Sequence, residues 1–278
     1  MSQQSFSLAP TANANVIALP ACSVVIVNYQ TPELVASCVE SIRKHSIVPD
    51  SAVVVVDNGS ADGSATRIAN ECPGIRLLRE KDNLGFGHGV NVGVAATDDD
   101  IILVLNPDTR FVDRSVEKAA ALMRADPTIG IVGLDLRNPD QTRQFSARRF
   151  YSLLDVVLRR TPLKQFRPFE RRNARHLMMD SWNGEAFETD WVMGTGFLIR
   201  RAAFDAVNGM DTTFFLYMED VDLCLRVRKA GWRVVAVVDG VLVHDHQRAS
   251  ASGILSPTGR AHLKSLAYFI RRHGMRPF

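Results

Sequence analysis

The sequence predicts one α/β domain built on a doubly wound, mostly parallel sheet with helices on both faces. Short runs of β-branched and other apolar residues recur along the chain, and each is typical of a strand that is covered on both sides. Segments with helical spacing separate these runs, which favours parallel pairing through right-handed crossovers. The chain has 278 residues and is 46% hydrophobic, which suffices for a sizeable core.

The first half of the chain alternates regularly between the two kinds of segment. Ser23–Tyr29 is a continuous apolar run, and Pro32 after it suits the first turn of a helix. Ser60 or Asp62, in the turn after the second run, can cap the next helix. We expect strands at 23–29, 51–57, 74–80, 101–106 and 129–136, and helices at 31–45, up to 70, and at 113–125.

The pattern is broken between residues 138 and 190 and then returns. The broken stretch is basic and contains scattered aromatic residues, so we interpret it as an insertion or lid. After it we expect a strand at 191–201, a helix that ends near Gly231, a strand at 232–238 and a last amphipathic helix at 258–273. The predicted organisation is a flexible leader (1–20), one domain (21–252) and a C-terminal basic amphipathic helix (253–278).

Composition indicates the compartment. The four cysteines have no C-x-x-C spacing and lie beside apolar residues, so we expect them to be buried in a protein of a reducing compartment. The first twenty residues lack the basic start and apolar core of a signal peptide, and no apolar run approaches the ~18 residues of a membrane span. These features predict a cytoplasmic protein.

The net charge of +3 is unevenly distributed. Basic residues crowd the segment 143–175, and a second basic patch lies at 271–276. Each patch is either a solvated face or a contact with an anionic partner, such as phospholipid or a diphosphate-linked acceptor. Nucleic acid is not expected as a partner, because no recognised nucleic-acid motif is present.

The stretch NLGFGHGVNVG, Asn83–Gly93, resembles the spacing of a dinucleotide-binding fingerprint. That fingerprint should follow the first strand, whereas this stretch follows the third, so we do not expect a nicotinamide or flavin cofactor. Glycines also allow a helix to pack closely on a sheet. This explains one or two of the glycines but not the flanking Asn83 and Asn91, which suit a loop that lines a nucleotide or sugar.

Acidic residues follow several of the predicted strands. Asp57 ends the second strand, Asp108 follows the fourth, and Glu219, Asp220 and Asp222 lie just before a helix. Open α/β sheets bind ligands at the carboxyl ends of their strands. A lone aspartate there is usually a turn residue, but several at one sheet edge indicate a site.

Together these motifs resemble those of the family 2 glycosyltransferases, which have the GT-A fold. The resemblance covers residues 23–252 and depends on the order of VVIVNY, DNGSAD, NLGFGHGVNVG, LNPDT, DWVMGTGFLIRR, FFLYMEDVDLCLRVRKAGW and the later His244. Within the family, the chain looks most like bacterial rhamnosyltransferases. The resemblance implies an inverting transfer from a nucleotide-diphosphate sugar, such as dTDP-rhamnose, to a hydroxyl of a cell-surface glycan or lipid-linked acceptor.

The resemblance also assigns catalytic and metal-binding roles. Asp220 matches the family's general base, with Glu219 as the fallback. Asp108 and His244 match positions that bind a divalent cation, Mg²⁺ or Mn²⁺. The family often has two aspartates where this chain has Asn106 and Asp108, which weakens the expected metal site. We interpret Asp222 as a structural partner of Arg226, one helical turn later.

The donor site implied by the resemblance spans several segments. Asp57 matches the position that reads the base or ribose, and Tyr29 can border the base. Trp191 has two interpretations: it either lies where the family shapes the sugar and acceptor pocket or packs in the core. The expected donor contacts are Asn28, Tyr29, Asp57, Asn83, Gly85, Gly87, Asn106 and Trp191.

The variable segment 138–190 is where acceptor choice is expected. The basic patches would then help to hold a lipid-linked acceptor by peripheral contact at the inner face of the cytoplasmic membrane. Two alternatives stay open at this point: a nucleotidyltransferase that makes sugar nucleotides, and a non-catalytic protein that binds them. The first usually carries a basic glycine-rich loop after strand one, where this chain has QTPELV.

Overall fold

The structure is a computed structural model that describes residues 17–150, 167–245 and 256–274. The described strands are β1 (Cys22–Asn28), β2 (Val53–Asn58), β3 (Arg76–Glu80), β4 (Ile101–Leu105), β5 (Thr109–Arg110), β6 (Ile129–Arg137), β7 (Ala147–Arg148), β8 (Ala186–Glu188), β9 (Trp191–Val192), β10 (Gly196–Arg200) and β11 (Arg233–His244). The described α-helices are α1 (Pro32–Lys44), α2 (Ser64–Glu71), α3 (Phe86–Ala95), α4 (Glu117–Ala125), α5 (Arg167–His176), α6 (Arg201–Ala206), α7 (Glu219–Lys229) and α8 (Pro257–His273).

Nine of these strands form one sheet in the order β3-β2-β1-β4-β10-β6-β11-β5, with β8 paired to β11. The pairs β1–β2, β1–β4, β2–β3 and β6–β11 are parallel, which confirms the mostly parallel, doubly wound sheet predicted from the sequence. β10 is antiparallel to both of its neighbours. Because Gly196 pairs with Leu105, β10 begins at the edge of the sheet where β4 ends.

The core consists of two layers, one on each face of the sheet. Alternate residues of β1 point to opposite layers, with Val24 and Ile26 on one face and Val25 and Val27 on the other. Helices α1, α2 and α4 cover the first face, and α3, α6, α7 and α8 cover the second. Strands that are buried on both faces need continuous apolar runs, which is why the sequence predicts β1, β2 and β4 well.

The second half differs from the prediction in two places. The expected strand at 191–201 is two strands, β9 and β10, separated by a turn, and β9 pairs with β7 in a small second sheet. Residues 233–244 form one long strand rather than a strand and a following segment. A bulge lies between Ala236 and Val241, where Asp239 adopts a φ of 56°. This irregularity hides the continuity of β11 from a reading of apolar periodicity.

The ends of the described chain pack against the domain. Ala18 and Leu19 are buried, and their N–H groups donate to the carbonyls of Ser46 and Ile47, so the domain begins before residue 21. Residues 1–16 of the predicted leader (1–20) lie outside the described residues. α8 starts where the sequence predicts the last helix, and its Phe269 enters the core. No helix in the described ranges is both long and apolar enough to cross a membrane.

The predicted variable segment 138–190 contributes two described strands and one described α-helix. β7 pairs with β9, β8 pairs with β11, and α5 lies between them in the chain. Residues 151–166 of this segment lie outside the described residues. The described part therefore extends both sheets at the side of the molecule that carries β9 and β11.

Candidate active site

The candidate site lies where the carboxyl ends of β1, β2 and β4 meet the start of β10 and of α7. Asn28 and Asp57 are partners in the register of β1 and β2, and Asp108 follows β4. The backbone N–H of Gly194, just before β10, donates to Asp220 at 2.9 Å. The topology thus brings the predicted aspartates to one edge of the sheet.

The side of the site formed by β1 and β2 holds a buried amide–carboxylate pair. Asn28 Nδ2 donates to Asp57 Oδ1 at 2.6 Å, and Asn28 Oδ1 accepts from the backbone N–H of Thr31 at 3.1 Å. Asp57 Oδ2 also accepts from the backbone N–H of Ser60 at 3.3 Å. Tyr29, next in sequence, is 45% exposed, so its ring is available to a ligand. These hydrogen bonds fix Asn28 and Asp57 in position, as is needed for specific binding of a polar ligand.

The glycine stretch forms the first turns of α3 and packs against the sheet. A Cβ at Gly89 would lie 2.6 Å from Val27 Cγ1, and one at Gly93 would lie 2.3 Å from Val25 Cγ1. Gly85 precedes the helix with a φ of 94°. Close packing of α3 on β1 therefore accounts for glycine at 89 and 93, and the packing interpretation extends further than the sequence suggested.

The flanking amides have structural partners. Asn91 Nδ2 donates to the carbonyl of Met210 at 2.9 Å, and its Oδ1 accepts from the N–H of the same residue at 2.8 Å. A Cβ at Gly87 would lie 3.2 Å from Met210 Cβ. Asn91 and Gly87 therefore fix the segment around Met210 on α3, and the predicted donor contact of Gly87 gains no support from the geometry.

Asn58 is a residue of this region that the sequence analysis did not single out. Its Nδ2 donates to Asn83 Oδ1 and to the carbonyl of Gly85, both at 3.0 Å, while Asn83 Oδ1 also accepts from the N–H of Gly85. In the described part of the chain, Asn58 Oδ1 is buried without a hydrogen-bond partner. Its place directly after Asp57 is the signal that could have identified it. Asn83 holds the turn at Gly85 through these bonds.

Asp220 is held at the start of α7 by two backbone donors. Gly194 N–H reaches Oδ2 at 2.9 Å and Val221 N–H reaches Oδ1 at 2.8 Å. The two residues before the helix, Tyr217 and Met218, have φ values of 67° and 72°, which residues other than glycine rarely adopt. Such backbone strain is typical of functional sites, because the surrounding structure must impose it. Asp220 remains partly exposed to the site.

Neighbouring Glu219 differs from Asp220 in its environment. Burial, followed by the charge of Asp220, raises the pKa of Glu219 to about 8. Its Oε2 is buried without a hydrogen-bond partner among the described residues. Burial also raises the pKa of Asp220, but the N–H groups of Gly194 and Val221 and the charge of Arg148 oppose this shift. The backbone donors and Arg148 thus favour the charged form of Asp220, whereas Glu219 Oε2 has no such donor.

Arg148 is the second residue that the sequence did not place in the site. Its guanidinium lies 5.1 Å from the centre of the Trp191 ring, and its Nη2 lies 3.3 Å from Met193 Sδ. It belongs to the stretch Arg148-Arg149-Phe150, which lies in the basic segment 143–175 and is part of the resemblance to rhamnosyltransferases, but which gave no site role to Arg148. Trp191 is buried and its indole N–H donates to the carbonyl of Arg149 at 3.0 Å. The structure favours core packing for Trp191. Its ring holds the Arg148 guanidinium through a cation–π contact.

The predicted metal ligands lie together on the opposite side of the site. His244 Nε2 is 3.2 Å from Asp108 Oδ2, and His244 Nδ1 is 2.7 Å from Gln144 Oε1. A histidine whose Nδ1–H donates to an amide oxygen presents the lone pair of Nε2, as metal-ligating histidines do. Asp108 Oδ1 is buried with no hydrogen-bond partner in the described ranges. These atoms fit a divalent cation, with its other ligands supplied by a diphosphate and water.

Two further observations bear on this cation site. Across the described residues there is no group of three or more His, Cys, Asp or Glu that could enclose a metal ion. A metal ion that also binds a phosphate ligand needs free coordination positions, and a site with only two protein ligands leaves them. The backbone N–H of Asn106 donates to the carbonyl of Thr195, the residue after Gly194. Asn106 therefore lies at the same edge of the sheet as Gly194.

Asp222 serves the structure rather than the site. Arg226 Nε donates to its Oδ2 at 2.6 Å, which confirms the predicted partner. His273 Nε2 lies 2.7 Å from its Oδ1, so Asp222 also holds the end of α8. The carboxylate is fully buried and is satisfied by these two groups. It thus ties α8 to the helix that carries Asp220.

Solved structures of low sequence identity share this architecture. The mannosyltransferase PcManGT from Pyrobaculum calidifontis, in complex with GDP-Man and Mn²⁺, has a TM-score of 0.63 and 20% identity, covering 97% of this chain and 68% of its own. GalNAc-T7 with UDP, GalNAc and Mn²⁺ has a TM-score of 0.62 and 15% identity, covering 91% of this chain and 48% of its own. These likenesses show that the fold is of the GT-A type, as the sequence predicts.

The family follows from the sequence match. Residues 20–272 match the family described as "Glycosyltransferase like family 2", and the chain belongs to this family. The enzyme class predicted from the sequence is confirmed, and the nucleotidyltransferase alternative falls.

Two relatives are similar over most of their length. An N-acetylglucosaminyl-diphospho-decaprenol L-rhamnosyltransferase of Mycobacterium tuberculosis (strain H37Rv) is 31% identical over 238 residues, covering 80% of this chain and 75% of the relative. The rhamnosyltransferase WbbL of Escherichia coli (strain K12) is 29% identical over 199 residues, covering 68% of this chain and 70% of the relative. The predicted likeness to bacterial rhamnosyltransferases is confirmed.

Proposed function

We propose that the enzyme transfers rhamnose, with inversion, from a nucleotide-diphosphate donor such as dTDP-rhamnose to a hydroxyl of a growing cell-surface glycan or lipid-linked acceptor. The two relatives named rhamnosyltransferases support the sugar, and the name of the mycobacterial relative supports an acceptor built on a lipid diphosphate. The observation that carries the proposal is Asp220, which two backbone donors hold at the sheet edge where Asp57 and Asp108 lie.

Donor binding is assigned to the side formed by β1 and β2. Asp57, fixed by Asn28, would accept hydrogen bonds from the ribose or base, and Tyr29 would border the base. The buried and unpaired Oδ1 of Asn58 would accept one more hydrogen bond from the nucleotide. The sugar then lies between this side and Asp220.

Transfer requires a base and a stable leaving group. Asp220 accepts the proton of the acceptor hydroxyl while the hydroxyl oxygen bonds to the anomeric carbon and the bond from that carbon to the diphosphate oxygen breaks. The nucleoside diphosphate departs with the electron pair of that bond. Glu219 stays protonated, so it does not compete for the proton, and Arg148 offsets the charge of Asp220 before transfer.

A divalent cation, Mg²⁺ or Mn²⁺, would neutralise charge on the leaving diphosphate when bound. Asp108 and His244 would hold it, with Gln144 orienting the imidazole. Asn106 would add at most a neutral oxygen ligand. Both solved relatives of the fold were crystallised with Mn²⁺, which supports a cation of this kind.

A lipid-linked acceptor also bears on where the enzyme works. We extend the proposal to a cytoplasmic enzyme in peripheral contact with the inner face of the membrane, where such an acceptor is anchored. The basic patches predicted from the sequence would attract an anionic surface. Arg148 is stacked on Trp191, so it contributes to the site rather than to that surface.

The test is donor turnover by the purified protein. We would offer dTDP-rhamnose and a panel of UDP- and GDP-sugars with Mg²⁺, Mn²⁺ or EDTA, and follow nucleoside diphosphate release and thermal shift. We expect one donor to be turned over by the wild type, and Asp220→Asn to lower the rate about 10²–10⁴-fold while still binding that donor.

Asp205→Asn is the matched control, because Asp205 is exposed on α6. It should leave turnover unchanged. Binding of no sugar nucleotide by the wild type, or full activity of Asp220→Asn, would contradict the proposal.

A further inference from the structure

A groove lies between α8 and the segment 211–217, outside the donor side of the site. Its volume is about 520 Å³, within the range of roughly 300–1,000 Å³ typical of small-molecule sites. Phe215, Ala261, Ala267 and the ring of Tyr268 line it. Phe215 is 49% exposed, and a large exposed apolar side chain in a concave surface indicates a ligand with an apolar part.

Two cations lie on the same groove. Lys264 and Arg271 both line it, and both are exposed. Within the described residues Lys264 has no ion pair, while Arg271 lies over the ring of Tyr268 at 5.6 Å. α8 contains no acidic residue that could neutralise them. The groove therefore combines an apolar wall with uncompensated positive charge, which suits a ligand with an apolar chain and an anionic head.

Successive contacts connect one wall of the groove with the proposed base. The carbonyl of Phe215 accepts from the backbone N–H of Phe86 at 3.3 Å. The Phe86 ring reaches within 3.5 Å of the position that a Cβ would take at Gly194. Gly194 in turn donates to Asp220. A chain of contacts through Phe215, Phe86 and Gly194 thus connects the wall of the groove with Asp220.

α8 is held rigidly enough to form one wall. Ser265 Oγ donates to the carbonyl of Leu216 at 2.8 Å, Tyr268 OH donates to Asp211 at 3.1 Å, and His273 contacts Asp222. None of these bonds uses Lys264 or Arg271. The two cations can therefore be changed without undoing the docking of the helix.

We propose that this groove binds the isoprenoid diphosphate part of a lipid-linked acceptor. The diphosphate oxygens pair with Lys264 and Arg271, the first isoprene units lie on Phe215 and Tyr268, and the acceptor sugar passes Phe86 to reach Asp220. This assignment rests on the lipid-linked acceptor of the proposed function. The two cations favour this occupant over an apolar protein segment, which would leave their charges unpaired.

The test compares two acceptors that carry the same sugar, N-acetylglucosamine. One is linked through diphosphate to farnesol, and the other is the methyl glycoside. In the variant Lys264→Ala/Arg271→Ala, we expect the KM for the farnesyl-linked acceptor to rise about tenfold or more, because two charge-assisted contacts are lost. The KM for the donor and the rate on the methyl glycoside should match those of the wild type.

Lys118→Ala on α4 is the matched control, because Lys118 is exposed and outside the groove. Farnesyl diphosphate should inhibit the wild type more strongly than inorganic pyrophosphate or farnesol does, and the double variant should lose this preference. The groove assignment would be overturned if the double variant were impaired equally on both acceptors or on neither. The proposed function would still stand in that case, provided that the wild type turns over the donor. Loss of binding to phosphatidylglycerol vesicles with an unchanged KM for the farnesyl-linked acceptor would assign the cations to a membrane contact instead.

Discussion

Glu219 and Asp220 are adjacent carboxyls with different environments. Asp220 accepts hydrogen bonds from two backbone N–H groups, whereas Glu219 Oε2 accepts none from the described residues. Hydrogen bonds to a carboxylate stabilise its charged form, and burial without them favours the neutral form. Sequence alone offers both residues as the base, because the distinction depends on Gly194, which is 26 positions away in the chain.

The pKa of Glu219 makes stability depend on pH. Its folded-state pKa of about 8 lies above the ordinary value of 4.5, so folding binds a proton. The stabilisation is complete below pH 4.5 and is lost as the pH rises through 8. We expect the free energy of unfolding of the wild type to fall by on the order of 3 kcal/mol between pH 5 and 8.5, and Glu219→Gln to show a smaller fall, to which the raised pKa of Asp220 still contributes. Denaturant unfolding at several pH values measures both.

Glu185→Gln is the control, because Glu185 is exposed. It should follow the wild-type pH dependence. The four buried thiols also have raised pKa values, which affect stability only at higher pH. Their contribution is the same in every variant, so it cancels in the comparison. Parallel curves for Glu219→Gln and the wild type would show that Glu219 is ionised in the folded protein.

Individual residues were predictable where they follow strands. Asp57 and Asp108 could be placed because the carboxyl ends of parallel strands share one edge. Arg148 and Gln144 could not, because they reach the site only through the pairing of β7 with β9 and the contact of Gln144 with His244. Long-range contacts of this kind leave no periodic signal in one sequence.

At the scale of elements, the position of α3 depends on glycine. A Cβ at Gly93 would lie 2.3 Å from Val25 Cγ1 and 3.3 Å from Val56 Cγ2, in the interior of the sheet–helix layer. Alanine would gain about 1 kcal/mol of helix propensity, but the overlap with buried β-branched side chains is larger. We expect Gly93→Ala to lower the free energy of unfolding by about 1–3 kcal/mol, as measured by denaturant unfolding.

Gly184→Ala is the matched control, because no heavy atom lies within 4 Å of the Cβ position at Gly184. Its stability should change little. If Gly93→Ala were as stable as the wild type, close packing would not be the reason for glycine in this stretch, and a ligand-lining role would regain support.

The accuracy of element prediction followed the regularity of the local pattern. β1, β2 and β4 are continuous apolar runs, and the structure places them within two residues of the predicted bounds. β9 and β10 were merged, because the apolar pattern runs through the turn between them. β11 was cut short, because its bulge places the exposed Asp239 in an otherwise apolar run. Turns and bulges are set by tertiary contacts that periodicity does not contain.

At the scale of the whole molecule, the site joins two halves of the sheet. Asp57 belongs to the half formed by β1–β3, whereas Asp108 and His244 belong to the half that contains β4, β5 and β11. A nucleoside diphosphate that contacts both halves would bind better with a divalent cation, which Asp108 and His244 would hold and which would neutralise the charge of the diphosphate. Ligand and metal should therefore stabilise the fold cooperatively, since each binds only the folded state.

We predict that dTDP alone raises the Tm slightly and that dTDP with Mn²⁺ raises it by more than the two separate effects combined. At ligand concentrations near 100 times Kd, the stabilisation should be about 2.7 kcal/mol. Asp108→Asn should abolish the increment that depends on Mn²⁺ and retain the increment due to dTDP alone, because Asp57 is untouched. EDTA should lower the Tm of the wild type with dTDP and Mn²⁺ to the value reached with dTDP alone.

Asp98→Asn, at an exposed position before β4, should behave as the wild type. A full Mn²⁺-dependent increment in Asp108→Asn, measured by thermal unfolding, would exclude Asp108 as the residue that couples the metal to the two halves.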